Sequence, residues 1–150
     1  MNILVTGSKG FIGLNLIAEL RNQNYLNIFQ YDKDSTLDEL ELYCKEADFI
    51  FHLAGVNRPL EQSEFMEGNF GFTSVLLDTL KKYKNKCPIM ISSSIQADLD
   101  NPYGLSKKAG EDLILAYGKE TGTRTLVYRF PNVFGKWSQP NYNSAIATFC

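Results

Sequence analysis

Tyr103 and Lys107 stand four residues apart, and a serine run, Ser92-Ser93-Ser94, comes shortly before them. On a helix, positions i and i+4 face the same way. A free tyrosine titrates near pH 10 and is a weak acid–base group at neutrality. A neighbouring ammonium would favour the tyrosinate and lower that value. Tyr103 could then pass a proton to or from a sugar or alcohol oxygen, with the hydroxyl of Ser94 holding that oxygen. Alone, Y-x-x-x-K is also an ordinary exposed helical pair. Its place in the chain decides between the two.

That place follows from the first thirteen residues. Met1 to Thr6 reads as a short buried strand, and Gly7-Ser8-Lys9-Gly10-Phe11-Ile12-Gly13 turns it into a helix. A glycine-rich turn lets a pyrophosphate approach the backbone, and the helix start offers unpaired N–H groups and a partial positive charge. The spacing is G-x-x-G-x-x-G, not the G-x-G-x-x-G of the standard fingerprint. Gly13 shares a helical face with Leu16, Ile17 and Leu20, so it is expected to let this helix lie close to the sheet.

Strand and helix patterns then alternate. Further strands are expected at Leu26–Tyr31, Asp48–Leu53, Pro88–Ser92 and Thr123–Phe130. Helices are expected from a capping box at Thr36–Glu39, over Glu61–Tyr83, and from Asn101-Pro102 to about Tyr117 with Leu105, Ala109, Leu113 and Ala116 inward. Alternation implies right-handed crossovers and an α/β fold. The expected architecture is a Rossmann-type doubly wound parallel sheet of order 3-2-1-4-5, with helices on both faces, filling one domain over 1–150. Ligands then sit outside the carboxyl ends of the strands.

Each of those ends carries polar or small residues. Asp32 lies about twenty residues beyond Gly13, where a carboxylate accepts the ribose hydroxyls of NAD. Lys33 beside it could instead meet the 2′-phosphate of NADP, and the two readings stay open. His52, the single histidine, lies within an apolar strand, where a structural role is the commoner one. After it come Leu53-Ala54-Gly55, small enough for the strand end to lie against a cofactor. Pro131 forces an extended segment after the fifth strand, and Asn132 presents an amide there.

Composition bounds the rest. The net charge of −2 steers the chain toward neither nucleic acid nor an anionic membrane. Cys44, Cys87 and Cys150 form no metal-binding pattern, so no metal is expected and a reducing, cytoplasmic setting fits. No leader is expected, and no apolar run approaches membrane length. Asn143 to Cys150 reads as a helix cut off in its second turn, as in a fragment of something longer.

Together these segments resemble the extended short-chain dehydrogenase/reductase family. The residues are Thr6-Gly7-x-x-Gly10-x-x-Gly13, His52-Leu53-Ala54-Gly55, Asn69, Ser92-Ser93-Ser94, Tyr103-x-x-x-Lys107 and Arg129-x-x-Asn132-Val133-Phe134-Gly135. Other stretches are similar to one subgroup, the capsular-polysaccharide enzymes that reduce a 4-keto UDP-6-deoxy-N-acetylhexosamine. They are Val56-Asn57-Arg58-Pro59, Ile95-Gln96-Ala97, Asp100-Asn101-Pro102, Lys136-Trp137 and Pro140-Asn141-Tyr142-Asn143-Ser144. The resemblance implies Tyr103 as catalytic acid, Lys107 as its electrostatic partner and ribose anchor, and Ser94 as donor to the substrate oxygen. It implies a cofactor wall of Gly7, Gly10, Phe11, Ile12, Gly13, Asp32, Lys33, Leu53, Ala54, Gly55, Asn69, Lys107 and Pro131. Asn132 and Asn141 would meet a nucleotide-sugar substrate. NADP(H) is the favoured cofactor, with NAD(H) the alternative and a homodimer the conceivable assembly. By that resemblance, the family's segment that closes over the nucleotide sugar and the subgroup's C-terminal cupin domain are expected to lie outside these residues.

Overall fold

The structure, a computed structural model, describes residues 1–57, 61 and 63–138. Asn141 and the helix expected over 143–150 lie outside the described residues, as does the Arg58-Pro59 pair. Five strands alternate with helices: β1 (Ile3–Thr6), α1 (Phe11–Asn22), β2 (Ile28–Tyr31), α2 (Leu37–Glu46) and β3 (Phe49–His52). A helical run follows, made of α3 (Ser63–Met66), a π turn (Glu67–Gly71) and α4 (Phe72–Lys82). Then come β4 (Ile89–Ser94), a 3₁₀ turn (Ile95–Asp98), α5 (Pro102–Thr121) and β5 (Thr125–Phe130).

Every strand pair is parallel, and the sheet is doubly wound as expected. Its order is β2-β1-β3-β4-β5, which corrects the expected 3-2-1-4-5. The chain steps from β1 to β2 in one direction. It then crosses back over β1 through α2 and continues the other way. Right-handed crossovers in opposite directions put their helices on opposite faces. Accordingly Ile17 and Leu20 of α1 pack on Ile3 and Val5. Leu40 and Cys44 of α2, Leu76 and Leu80 of α4, and Ile114 and Tyr117 of α5 pack on Leu4, Ile50, Ile89 and Ile91. Each fully buried aliphatic side chain contributes about 1.5–3 kcal/mol, and these two layers hold the strand ends in place. The reversal falls between β1 and β3, and a crevice opens there beyond the strand ends.

Local signals set the helix ends. Thr36 accepts the Glu39 N–H while Glu39 accepts the Thr36 N–H, the anticipated capping box. Asn101 accepts the Gly104 N–H at 2.8 Å, with Pro102 opening α5. This helix runs past Gly118 to Thr121 rather than stopping near Tyr117. Gly118 is a packing glycine, since a methyl there would lie 2.9 Å from the Thr125 side chain. The stop is Gly122, at φ +76°. The inward face of α5 also differs from the leucine pattern. Ser106, Lys107, Gly110, Glu111, Ile114 and Tyr117 are buried, whereas Leu105 and Ala116 are exposed.

Candidate active site

A cavity of about 850 Å³ occupies the crevice. Its floor is the glycine turn. Gly7 sits at φ +69°, and a side chain there would meet the Ala54 backbone nitrogen at 2.7 Å. The turn is fastened to β2 by Gly7 N–H donating to Tyr31 O at 2.9 Å, and closed on itself by Gly10 N–H to Gly7 O at 3.1 Å. Gly10 is the N-cap of α1 and supplies no side-chain cap. The first-turn N–H groups of α1 are therefore left for an acceptor from outside, as a pyrophosphate requires. Gly13 works differently from the expectation. Its missing side chain makes room for the turn rather than for the sheet: a methyl would overlap the Gly7 carbonyl oxygen and lie 2.9 Å from Ser8 Cα.

Of the sequence-expected cofactor wall, Gly7, Gly10, Phe11, Ile12, Gly13, Asp32, Lys33, Leu53, Ala54, Gly55 and Pro131 line this cavity. So do Ser94, Tyr103 and Asn132. Lys107 lines a smaller recess of about 110 Å³ that shares Ser94 and Tyr103 with it. Asp32 is already engaged: its carboxylate accepts the Lys9 N–H at 2.7 Å and the Lys33 N–H at 2.9 Å. It thus ties the β2 end to the glycine turn. The Lys9 ammonium pairs with Asp34 on the same rim.

Asn69 is placed behind the wall, not on it. The π turn swings it inward, where it is 4% exposed. Its amide oxygen accepts Val56 N–H at 3.0 Å, and its NH₂ donates to Val56 O at 3.1 Å and to Ser106 Oγ at 2.9 Å. A side chain on Gly55 would meet Asn69 Oδ1 at 2.6 Å and Lys107 Nζ at 3.0 Å. Asn69 therefore holds the strand-end loop against the first turn of α5.

His52 has the structural role. It is 1% exposed, with Nδ1 2.7 Å from Thr6 Oγ1 and Nε2 2.9 Å from Thr73 Oγ1. Thr73 donates its own hydroxyl to Asn69 O at 2.6 Å. It must then accept from His52, so the proton sits on Nε2 and Nδ1 accepts from Thr6. Burial, helped by the Lys107 charge, pushes the His52 pKa down to about 3. The unfolded chain binds this proton near pH 6.5 and the folded chain does not, so its neutral form favours the fold above pH 6.5. That contribution is lost on acidification at up to about 1.4 kcal/mol per pH unit. Stability measured by denaturant unfolding between pH 6.5 and 5 should thus fall less steeply in His52→Gln than in the parent. Equal slopes would show that His52 is not the titrating group.

The three residues expected to act together, Ser94, Tyr103 and Lys107, sit at the end of β4 and the start of α5. β4 continues through Ser94, two residues further than its sequence pattern suggested, because Ser93 and Ser94 still pair with Arg129 and Phe130. Ser94 Oγ accepts the Gln96 N–H at 3.1 Å and so caps the 3₁₀ turn. With that lone pair taken, its hydroxyl proton is left for the Tyr103 oxygen or for an acceptor in the cavity. Lys107 Nζ lies 3.5 Å from Ser92 O and 5.8 Å from the Tyr103 ring centre. Phe65 stacks at a tilt on the other side of that ring, 5.6 Å between centroids. Burial pushes the Tyr103 phenol above its ordinary value, and a hydrogen bond with Ser94 pulls against this. Burial also lowers the Lys107 ammonium to about 8. At neutral pH both groups hold their protons; burial outweighs the lowering of the Tyr103 value expected from the neighbouring ammonium.

Several lining residues carried no assignment from the sequence, among them Tyr31, Val56, Gly68, Phe72, Ile95 and Gln96. Gly68 had a visible signal, a glycine inside a helical pattern. A methyl there would overlap Val56 Cγ2, so Gly68 marks a close approach of helix and loop.

The NAD dependent epimerase/dehydratase family matches residues 3–149. The chain is similar to a UDP-2-acetamido-2,6-beta-L-arabino-hexul-4-ose reductase from Pseudomonas aeruginosa, 45% identical over 150 residues, which are 100% of this chain and 40% of the relative. It is also similar to the crystal structure of the capsular polysaccharide assembling protein CapF from Staphylococcus aureus. There the identity is 51% and the TM-score 0.87, over 100% of this chain and 41% of that one. The fold is shared with a UDP-glucuronic acid 4-epimerase from Bacillus cereus in complex with NAD. That match has a TM-score of 0.80 at 22% identity, covering 94% of this chain and 60% of that one. The chain thus spans about two fifths of the length of the first two. Among the described residues, no helix is long and apolar enough to cross a membrane.

Proposed function

The chain belongs to the NAD dependent epimerase/dehydratase family, and from that premise we propose that it carries the cofactor site and catalytic trio of a nucleotide-sugar ketoreductase. The substrate we infer is a 4-keto UDP-6-deoxy-N-acetylhexosamine, the class suggested by the name of the Pseudomonas relative. The observation that carries the reading is the pairing of two hydroxyls, Ser94 and Tyr103, on one cavity wall. A nicotinamide cofactor on the glycine turn would supply the hydride, and the turn, the uncapped α1 start and the small Leu53-Ala54-Gly55 segment suit its shape and charge. Ser94 donates a hydrogen bond to the keto oxygen and polarises it. Tyr103 gives its proton to that oxygen as negative charge develops. Lys107 stabilises the resulting tyrosinate and can reach a ribose hydroxyl.

Elimination of water or epimerisation through a second base would need a further acid–base group beside the reacting carbon. Among the described residues the cavity's carboxylate is Asp32, three strands from β4 or roughly 14 Å by strand spacing. Ile95 and Gln96, which follow Ser94 on the wall, cannot serve. This disfavours dehydration; an NAD-dependent epimerase that oxidises and re-reduces one carbon needs only the same trio, and cofactor consumption separates it from a reductase. A second reading is a cofactor-binding portion that is inactive by itself, because the chain spans 40% of the Pseudomonas relative.

We favour NADPH, since Lys33 lines the cavity at the β2 end and Asp32 is occupied with backbone N–H groups. Net, stoichiometric loss of NADPH with a 4-keto UDP-sugar, followed in the near ultraviolet, is the expected result. Parallel titrations should show NADPH bound about tenfold more tightly than NADH, with the difference gone in Lys33→Ala. Catalytic turnover without net NADPH loss would favour the epimerase. Cofactor binding with no turnover, restored in a longer chain, would favour the second reading.

A further inference from the structure

Segments that bear the site's chemistry converge on one guanidinium. Arg129, in β5 two residues before Pro131, forms a bidentate pair with Glu111: Nε to Oε1 at 2.8 Å and Nη2 to Oε2 at 2.7 Å. Its Nη1 donates to Asp98 Oδ2 at 2.7 Å. Glu111 is 3% exposed and also accepts the Ser93 hydroxyl at 2.5 Å. The Lys108 ammonium lies 4.0 Å from it but is committed to Asp112 at 2.6 Å.

Each partner adjoins a member of the trio. Ser93 precedes Ser94. Glu111 lies one helical turn beyond Lys107 on the same buried face of α5. Asp98 ends the 3₁₀ turn whose Gln96 N–H fixes the Ser94 lone pair. A pair made for stability alone would end at buried Glu111. The third arm reaches a carboxylate that is 70% exposed, and such a contact adds little to stability. What it does is hold the turn that leads from Ser94 to Tyr103.

We propose that Arg129 is a positioning residue for the catalytic trio, setting the Ser94 hydroxyl against Tyr103 and Lys107 through Glu111, Ser93 and Asp98. The proposal rests on the reductive reading of this site. The guanidinium itself does not line the cavity. Its planar fork spans three acceptor oxygens in fixed directions, which the point charge of lysine cannot do.

The test uses Arg129→Met, Arg129→Lys and Asp98→Asn. One readout is the pH titration of Tyr103 by NMR of ¹³Cζ-labelled tyrosine, assigned with Tyr103→Phe and needing no substrate. The other is kcat for reduction, set beside cofactor affinity from nicotinamide fluorescence. Arg129→Met should move the Tyr103 midpoint by about half a pH unit or more and lower kcat roughly ten- to a hundredfold, as a small misplacement does. Cofactor affinity should stay within about threefold, and Arg129→Lys should not restore the rate. Asp98→Asn should move the same two quantities in the same direction, with the melting temperature within about 1 °C of the parent. The proposal is overturned if the variants leave the Tyr103 titration and kcat unmoved, or lower only the melting temperature. Should Arg129→Met not fold, Asp98→Asn decides alone. No keto-sugar reduction by this chain or by a longer one containing it would sink the reductive reading, and the Tyr103 titration would still decide the role of Arg129.

Discussion

Replacing Tyr103 by phenylalanine should lower kcat for keto-sugar reduction by roughly a thousandfold, the middle of the range for a general acid. Affinity for NADPH and NADH should change by less than about threefold, because the ring stays. Phe65 and Lys107, 5.6 and 5.8 Å from the ring centre, still flank that ring in the variant. What is lost is the proton. Among the described cavity residues, the groups near Ser94 that can donate one are Tyr103 and Lys107, and Lys107 is held back against Ser92 O. The parent should show a matching pH dependence. Lys107 titrates at about 8, so the ammonium that favours the tyrosinate is present below that pH and is lost above it. The rate should therefore fall on the alkaline side of pH 8. Stopped-flow reduction with saturating cofactor measures both effects. A phenylalanine variant within tenfold of the parent would remove Tyr103 from the acid role.

The features legible in the sequence were those set by near neighbours. The Thr36 and Asn101 caps depend on bonds spanning three residues, and both form. The Tyr103–Lys107 spacing needs only a helix under it. The order of the strands was not legible in this way. Whether β3 lies beside β2 or crosses over β1 depends on which face of the sheet α2 covers, and that is settled by Leu40 and Cys44 meeting Leu76 and Leu80 of α4. Nor was the buried face of α5. Its leucines suggested one side, but the helix turns Ser106, Lys107 and Glu111 inward, where Asn69, Ser92 and Arg129 satisfy them. Hydrophobic periodicity misleads on a helix that buries polar groups with partners. The π turn that aims Asn69, and the Arg129–Glu111 pair eighteen residues apart, have no local pattern to read.

Gly13→Ala should weaken cofactor binding by about a hundredfold or more and cost about 1–3 kcal/mol of stability through overpacking. The added methyl would overlap the Gly7 carbonyl oxygen and stand 2.9 Å from both Ser8 Cα and Ser8 O. All three are backbone atoms, so no rotamer change can relieve the clash. The turn must move, and it is pinned at Tyr31 O by two N–H groups and at Ala54 by the close approach of Gly7. Movement there displaces the N–H groups that would face the pyrophosphate. Gly71→Ala is the matched control. Gly71 is helical at φ −60°, and a methyl on it would find its nearest neighbour 3.9 Å away. It should leave binding within about twofold and the fold intact, since alanine favours a helix over glycine. Fluorescence titration with NADPH and a thermal melt separate the two effects. If Gly13→Ala loses stability yet binds NADPH within tenfold of the parent, the glycine turn holds the fold and the cofactor's phosphates are seated elsewhere.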